Sequence, residues 1–359
     1  MKIVFFGHQK FLDYFQIGGF ESFVRRLATF LSNNGCVVDY VMYGCHDEKE
    51  IAVNSNLFLK YFISFENALQ ALEKPYEHVF PIKIDLNKRL QYIQFLRKNN
   101  LPTRFHYFAL VWPKLVKRGL MLLETSLFSK NGKIFCISPR LYDLFKRFFK
   151  KTVFIWPSVP EIYYLSPDKK PKNNSIKITY LGNLITDKYI EEIVELFMHQ
   201  KKRGNYELTI YGTFDPLNEK SVSIHKKLLK QKEIKYIHID RESYSSDTEL
   251  LVIRVLKETD VLFQPYKTLI NTLDTPLLLL EAMASLCAVV TTKIGNVKDI
   301  YGESPFILSR ENFFDEAMVL LERLNYEMIL TERERIWGRN KMLQFDLENV
   351  GRRFMETLL

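Results

Sequence analysis

A single carboxylate stands in the middle of an otherwise apolar segment of this sequence. Glu281 lies between Pro276–Leu280 and Ala282–Ala284. This pattern predicts a helix that starts at Pro276, with Asp274 or Thr275 as its N-cap. A carboxylate in such a helix must be paired or bound, because burying a bare charge is unfavourable. Two interpretations remain open, namely an ion pair with a neighbouring element and a pair of sugar hydroxyls that donate to both oxygens.

Two glycine-containing turns could approach an anion. Gly18 and Gly19 precede a predicted helix, whose first N–H groups and positive dipole end suit a phosphate. A plain tight turn is the alternative, and the dinucleotide pattern G-x-G-x-x-G is absent. Lys188 follows Gly182 and stands at a helix start, where the dipole does not favour a cation. An anionic ligand would explain this lysine, and so would a surface pair with Asp187.

His106 is the third candidate. It lies in Arg104–Val111, which is predicted as a strand and its exit loop, and we place it at the carboxyl end of that strand. A buried structural histidine is one interpretation. A contact with ligand is the other, because ligands bind at the carboxyl ends of strands in open parallel sheets.

Alternating strands and helices position these residues. The strand Lys2–Phe6, the helix Phe20–Asn33 and the strand Val37–Tyr43 predict a βαβ unit and therefore a parallel sheet. The same alternation restarts at Ile176 after a stretch with four prolines. We therefore predict a first domain over 1–156, a linker over 157–175, a second domain over 176–344, and a terminal amphipathic helix over 345–359 that packs back towards the first domain.

Composition excludes several classes of protein. The 359 residues are 47% hydrophobic and 26% charged, which excludes a mainly disordered chain. No apolar run approaches the ~20 residues of a membrane-spanning helix. The four cysteines lack metal-ligand spacing and predict reduced thiols in the cytoplasm. Residues 1–170 carry 25 Lys and Arg against 14 Asp and Glu, within a chain of net charge +9.

The order of these motifs resembles the retaining glycosyltransferases of family 4, the glycosyl transferases group 1, which have the GT-B fold. The similar blocks run along nearly the whole chain. They are Gly18-Gly19-Phe20-Glu21, the strand with His106, Ile137-Ser138, Tyr180–Leu184 with Lys188, and Leu280–Ala284 followed by Ala288–Thr292.

The resemblance implies an α/β architecture with two Rossmann-like parallel-sheet domains that face each other across a cleft. It implies transfer of a hexose-type sugar from a nucleotide-diphosphate sugar to a glycan or lipid-linked acceptor, with retention of configuration, in cell-surface polysaccharide synthesis. The alternative is a catalytically inactive GT-B protein that serves as a sugar-binding or partner subunit.

The resemblance also implies roles for individual residues. Glu281 would accept hydrogen bonds from the ribose, Lys188 would neutralise the diphosphate, and His106 would contact the transferred sugar. The amides of Gly18 and Gly19 would cap the diphosphate. No metal cofactor is expected, because a lysine and amides would supply the electrostatic stabilisation. Further donor-binding residues are expected at Gly182, Asn183, Asp274, Thr275 and Leu277.

Two positions depart from the family pattern. Asn183 stands where the family has an arginine, and Leu273 stands where it has the first glutamate of Glu-x7-Glu. Asp274 could replace that glutamate if the loop shifts by one residue. These departures motivate the inactive-subunit alternative.

The basic first half predicts a partner surface. Ten Lys and Arg within residues 101–150 are interleaved with Trp112, Phe145, Phe148 and Phe149. Such a composition predicts a cytoplasmic protein that is peripheral at the inner face of the cell membrane, where anionic lipid attracts basic residues. A solvated basic surface is the alternative. Nucleic acid is not expected, because no nucleic-acid-binding motif accompanies the charge.

Overall fold

The computed structural model describes residues 1–15, 18–99, 103–113, 118–129, 131–171, 174–200, 206–232, 234–239, 246–269 and 272–359. The chain divides into two compact units. Unit 1 comprises Met1–Pro160, Asn271–Thr275 and Phe345–Leu359, and unit 2 comprises Glu161–Ile270 and Pro276–Gln344.

Unit 1 is built on a sheet of eight strands within the described residues, in the order β3-β4-β2-β1-β5-β6-β7-β8. Neighbouring strands are parallel except for the antiparallel pair β3–β4. The strands are β1 Lys2–His8, β2 Val37–Tyr43, β3 Lys49–Asn54, β4 Leu57–Phe62, β5 His78–Ile82, β6 Arg104–Ala109, β7 Asn131–Cys136 and β8 Thr152–Phe154.

The helices of unit 1 connect these parallel strands and cover the sheet. They are α1 Gln9–Leu12, α2 Gly19–Asn33, α3 Phe65–Ala71, α4 Arg89–Lys98, α5 Arg118–Phe128 and α6 Pro139–Phe145, joined by the last helix of the chain, α14 Leu347–Leu358. Helices α7–α13 belong to unit 2 and are described below. Side chains cap several of these helices: for example, Ser64 accepts from Asn67 N at the start of α3, and Ser138 accepts from Leu141 N at the start of α6.

The terminal helix α14 contributes to the core of unit 1. The ring of Phe354 lies 4.8 Å from the ring of Phe135, 5.5 Å from Phe80 and 6.0 Å from Phe108. A Cβ on Gly351 would collide with the ring of Phe30 in α2. Close packing of aromatic rings against this helix therefore makes residues 345–359 part of the unit that begins at Met1.

Unit 2 is built on a parallel sheet of six strands within the described residues, in the order β11-β10-β9-β12-β13-β14. The strands are β9 Ile176–Asn183, β10 Tyr206–Thr213, β11 Lys235–His238, β12 Val261–Phe263, β13 Ala288–Thr292 and β14 Ile307–Leu308. The helices are α7 Ile190–Gln200, α8 Glu219–Lys230, α9 Ser246–Glu258, α10 Leu277–Ala284, α11 Val297–Tyr301, α12 Phe313–Arg323 and α13 Tyr326–Leu343.

The structure differs from the predicted domain bounds at residues 157–175. Val159 N donates to Phe345 O at 3.0 Å, so the segment up to Pro160 belongs to unit 1. From Glu161 onwards the chain belongs to unit 2, where Lys170 Nζ donates to Leu256 O at 2.9 Å. Residues 172–173 of the predicted linker lie outside the described residues. The prolines therefore occur in segments that are bonded to one unit or the other.

The second difference lies between β12 and α10. Asn271–Thr275 belongs to unit 1, although we predicted 176–344 as one continuous domain. Asp274 N donates to Leu110 O at 2.8 Å, and Thr275 Oγ1 donates to Ile137 O at 2.6 Å. These bonds to the ends of β6 and β7 hold the segment on unit 1.

None of the helices in the described part of the chain is long and apolar enough to cross a membrane.

Candidate functional site

Lys188 lies at the carboxyl end of the unit 2 sheet, beside the last residues of β9. Gly182 has φ +148°, a conformation that side chains other than glycine rarely adopt. A Cβ at this position would lie 3.1 Å from Lys188 Nζ. A 3₁₀ turn over Thr186–Lys188 brings the lysine back towards the strand. The glycine therefore leaves the space that the ammonium group occupies.

Gln264 and Tyr266 hold this lysine. Gln264 directly follows β12 and is completely buried. With its amide nitrogen directed at Leu181 O, 2.9 Å away, its oxygen accepts from Lys188 Nζ at 3.2 Å and from Tyr266 Oη at 3.1 Å. Lys188 Nζ also lies 5.7 Å from the centre of the Tyr266 ring. Neither residue was predicted from the sequence. The available signal was a glutamine and a tyrosine on either side of Pro265, directly after an apolar strand.

Glu281 lies on α10 and is only 7% exposed. Burial raises the pKa of the Tyr266 hydroxyl, and the negative charge of Glu281 raises it further. The structure thus brings together Gly182, Lys188, Gln264 and Tyr266, with the charge of Glu281 acting on Tyr266, and we call these five residues the Lys188 site. Leu277 begins α10 with a buried side chain, so only its backbone could reach a ligand.

Asn183 ends β9 and supplies no positive charge to the Lys188 site. Its side-chain oxygen accepts from Thr213 Oγ1 at 2.5 Å, and its backbone oxygen accepts from Tyr180 Oη at 2.6 Å. Lys267, another cation of unit 2, pairs with Glu192 at 2.6 Å. Neither Asn183 nor Lys267 therefore directly replaces the arginine that the family has at position 183.

Asp274 is not available to a donor sugar, which corrects the sequence expectation. Its carboxylate is completely buried in unit 1. It accepts from Ser138 Oγ at 2.5 Å and from Arg140 Nε at 2.8 Å, and its second oxygen pairs with Arg140 Nη2. Both oxygens are therefore engaged. Thr275 is likewise buried and donates to Ile137 O, so neither side chain replaces the missing glutamate at Leu273.

Gly18 and Gly19 form the N-terminus of α2, as predicted, with Gly18 at the N-cap. The side chain of Glu21 lies over this loop. Its carboxylate is so close to Gly18 that a Cβ on Gly18 would collide with it. Burial raises the pKa of Glu21 above its usual range, although its own backbone N–H and Lys83 oppose that shift. The helix start thus already faces a carboxyl group, and capping of a diphosphate by the two amides stays a prediction.

His106 is a core residue, which contradicts its expected contact with a transferred sugar. It is the third residue of β6 and is 1% exposed. Lys133 N donates to its Nδ1 at 3.0 Å, so the ring proton lies on Nε2 and is donated to His78 Nδ1 at 2.8 Å. The ring stacks on Phe80 with centres 4.6 Å apart. Both ring nitrogens are therefore occupied within unit 1.

A cavity of about 170 Å³ lies at the carboxyl ends of β5 and β6 in unit 1. Its lining includes Lys83, the ion pair Arg89–Glu124, and Tyr107. Lys83 has φ +42°, and its Nζ lies 4.0 Å from the centre of the Phe20 ring. Burial lowers the pKa of Lys83 and raises that of Glu124. These charges lie on three separate segments of the chain, and the group was not predicted from the sequence.

Among the described residues, no three His, Cys, Asp or Glu side chains are grouped closely enough to hold a metal ion.

Comparison with known proteins identifies the class of this fold. Residues 165–309 match the family model described as "Glycosyl transferases group 1". No curated protein matches the chain. Sucrose-phosphate synthase from Thermosynechococcus elongatus is similar in structure, with a TM-score of 0.71, 15% identity, and coverage of 99% of this chain and 98% of that chain.

Two further solved structures resemble the whole chain. WaaG, a glycosyltransferase involved in lipopolysaccharide biosynthesis, has a TM-score of 0.62 and 15% identity, with 99% of each chain covered. TarM from S. aureus, in complex with Fondaparinux, α-GlcNAc-glycerol and UDP, has a TM-score of 0.65 and 9% identity, with 100% of each chain covered. The chain therefore has the GT-B fold, and its resemblance to the glycosyl transferases group 1 is confirmed by the match over residues 165–309.

Proposed function

We propose that this protein is a glycosyltransferase that uses a nucleoside-diphosphate sugar as its donor. The observation that carries the proposal is the Lys188 site. Its ammonium group is held between Gly182 and Gln264 at the carboxyl end of a parallel sheet, within the residues that match the family model. Ligands of open parallel sheets bind at this end.

In the proposed reaction, Lys188 stabilises the diphosphate leaving group, whose negative charge grows as the bond to the anomeric carbon breaks. Glu281 accepts hydrogen bonds from the ribose hydroxyls. The acceptor hydroxyl forms the new bond to the anomeric carbon, and the products are the glycosylated acceptor and a nucleoside diphosphate. Retention of configuration and transfer of a hexose-type sugar are part of the proposal, supported by the resemblance to the retaining family.

The acceptor class is proposed as a glycan or a lipid-linked sugar, for cell-surface polysaccharide synthesis. Support comes from the chemistry named for two similar structures, since TarM binds UDP with α-GlcNAc-glycerol and WaaG acts in lipopolysaccharide biosynthesis. The charged cavity of unit 1, with Lys83 and Arg89 in its lining, is our proposed acceptor side. No metal ion is assigned a role, because Lys188 is proposed to supply the positive charge.

A second candidate is an inactive subunit that binds the nucleotide without transferring sugar. Specific observations favour it. Asn183 bonds to Thr213 where the family has an arginine, Leu273 is buried where it has a glutamate, and Asp274 is engaged by Arg140. Donor-sugar recognition would then be weakened while the Lys188 site remained.

The two candidates share one test of binding. Calorimetric titration with UDP, GDP and TDP, and with the matching nucleosides, compares the native protein with Lys188→Ala. We expect the variant to lose affinity for the diphosphate by about tenfold to a hundredfold, because a charge-assisted hydrogen bond contributes about 1.5–3 kcal/mol, while nucleoside affinity changes little. Lys267→Ala is the matched control, since that lysine pairs with Glu192, and we expect it to bind as the native protein does.

A second measurement separates the candidates. Release of nucleoside diphosphate from a panel of UDP-, GDP- and TDP-sugars, with and without acceptor extracts, should be detected for the enzyme and abolished in Lys188→Ala. Tight binding without any release or transfer would support the inactive subunit. Absence of binding by all three nucleoside diphosphates would contradict both candidates.

A further inference from the structure

Four large apolar side chains are exposed on three neighbouring elements of unit 1. Leu86 belongs to the 3₁₀ turn before α4, and Leu90 lies in the first turn of α4, while Leu120 and Leu123 lie on α5. Their side chains are 79%, 71%, 67% and 58% exposed, in that order. Single exposed leucines are common on protein surfaces, but a group of four on adjacent helices indicates an interaction surface. We call these residues the leucine surface.

One ion pair joins the two helices at the level of these leucines. Arg89 of α4 pairs with Glu124 of α5. Leu90 directly follows Arg89 in the sequence, and Leu123 directly precedes Glu124. Leu120 and Leu123 are three residues apart on α5, which places them on one helical face, and Leu86 and Leu90 are four residues apart across the 3₁₀ turn and the start of α4. The leucine surface therefore comprises two short stripes on helices that the ion pair holds together.

Positive charge accompanies the leucine surface. The described segments 83–99 and 118–129 contain six basic residues against Asp85 and Glu124 as the only acidic ones, and two of the six, Lys88 and Arg89, pair with Glu66 and Glu124. Arg97 and Lys98 are exposed at the end of α4. Exposed aliphatic side chains with a surplus of basic residues are complementary to a surface that is apolar beneath and negatively charged above.

We infer that the leucine surface docks unit 1 onto an anionic lipid bilayer. The leucines enter the boundary between headgroups and acyl chains, and Arg97 and Lys98 contact lipid phosphates. This inference does not depend on the proposed sugar transfer, because docking needs only the exposed side chains. Arg89 and Glu124 also line the unit 1 cavity, so docking would place that cavity next to the lipid headgroups.

This surface differs from the one that the sequence suggested. Phe145 is completely buried, and the Trp112 ring lies beneath the guanidinium of Arg140 at 4.4 Å. Of the four aromatic residues expected on a basic face, Phe148 is the one that ranks among the exposed large side chains, at 60%. Three basic residues counted in that expectation, Lys114, Lys117 and Lys130, lie outside the described residues.

Flotation of the full chain with lipid vesicles tests the inference. The vesicles are phosphatidylcholine alone or a 7:3 mixture of phosphatidylcholine and phosphatidylglycerol, each at about 50 mM and about 300 mM salt. We expect the native protein to float with the anionic vesicles at low salt, to bind less at high salt, and to bind phosphatidylcholine weakly. Sedimentation of the native protein away from anionic vesicles at low salt would overturn the inference.

Paired variants locate the docking surface. We expect Leu120→Ser/Leu123→Ser to lower the partition into anionic vesicles by about tenfold or more, since two leucines lose their burial in lipid. The control is Leu217→Ser/Leu229→Ser, which removes two leucines that are 94% and 63% exposed in and beside the basic helix α8 of unit 2. Loss of binding in the control, or full binding by the α5 variant, would overturn the assignment to the leucine surface.

The charge contribution has its own variant. Arg97→Glu/Lys98→Glu should reduce binding and flatten its salt dependence, because each basic residue near an anionic surface adds favourable electrostatic energy. Arg352→Glu/Arg353→Glu on α14 is the matched charge reversal elsewhere in unit 1. An equal loss in both variants would show that net charge, rather than this surface, drives binding, and would contradict the inference. Urea unfolding checks that every variant remains folded.

Discussion

Replacement of His106 should change how the stability of unit 1 responds to acid. In the structure His106 and His78 are 1% and 3% exposed and share a hydrogen bond. Burial is the main cause that lowers the pKa of His106 from 6.5 to about 2 and that of His78 to about 4. A proton added to either ring would also face another donor. On His106 it would face the Lys133 N–H, which already donates to Nδ1, and on His78 it would face the Nε2–H of His106.

The direction of the effect follows from these pKa values. Above pH 6.5 both histidines are neutral in the folded and the unfolded chain, and stability is unaffected. Between pH 6.5 and 4 the unfolded chain binds two protons that the folded chain does not, so stability falls as pH falls. At pH 5.0 each histidine lowers the free energy of unfolding by about 2 kcal/mol, and the pair by about 4 kcal/mol. Domains are typically stable by only about 5–15 kcal/mol.

The assay is urea unfolding at pH 7.5 and pH 5.0 in a Trp337→Phe background, so that fluorescence reports Trp112 and Trp156 of unit 1. His106→Gln retains a side-chain acceptor for Lys133 N–H and removes the titrating ring. We expect the loss of stability between the two pH values to shrink by about 2 kcal/mol in this variant. His199→Gln, which removes a histidine that is 59% exposed in unit 2, should leave that loss unchanged. An unchanged loss in His106→Gln would refute the reasoning.

Three further substitutions test other features of the structure. Gly182→Ala should weaken binding of nucleoside diphosphate by about tenfold or more, because of its φ of +148° and its crowding against the ammonium group, and native affinity in calorimetry would contradict this. Arg140→Leu should lower the free energy of unfolding by about 2 kcal/mol, because it leaves Asp274 buried without its cation, although Arg140 is 29% exposed; an unchanged urea midpoint would argue against the pair. Gly351→Ala should cost about 1–3 kcal/mol through overpacking against Phe30, and equal thermal stability would show that the helix can shift at no cost.

Much of the fold could be predicted because local patterns and tertiary packing agree. The strand Val37–Tyr43 was predicted with the bounds that the structure has. A mainly apolar run of this length is typical of a strand buried on both faces of a parallel sheet. Glu281 and Lys188 could be identified for the opposite reason, since each is a charged residue in a position that local structure does not explain.

Strand β5 shows why other elements could not be predicted. It contains Pro81, which is unusual in a central strand because proline lacks the N–H group that a ladder needs. In the structure β5 pairs with β6 only at His78 and Val79, so the pairing on that side has ended before the proline. The strand propensities of successive residues do not reveal at which residue the pairing of β5 with β6 ends.

His106 and Asp274 show the same limit for the site. Both were assigned to ligand because of their place in a motif, and both are bonded to residues distant in sequence. His78 lies 28 residues from His106, and Arg140 lies 134 residues from Asp274. A buried partner from another element decides whether a polar side chain is structural or faces a ligand. The local spacing of residues in the sequence does not show such a partner.

The placement of α14 affects how the chain is made on the ribosome. Unit 1 begins at Met1, yet Phe354 and its aromatic neighbours complete its core only after residues 345–359 have been synthesised. Translation adds about 5–20 residues per second, so about 10–40 seconds separate the synthesis of residue 160 from that of residue 359. During that interval the nascent unit 1 exposes the groove that α14 will fill, while unit 2 can assemble first. Completion of unit 1 therefore depends on residues that are made after unit 2, and a stop codon before residue 345 would leave unit 1 without the helix that covers its aromatic core.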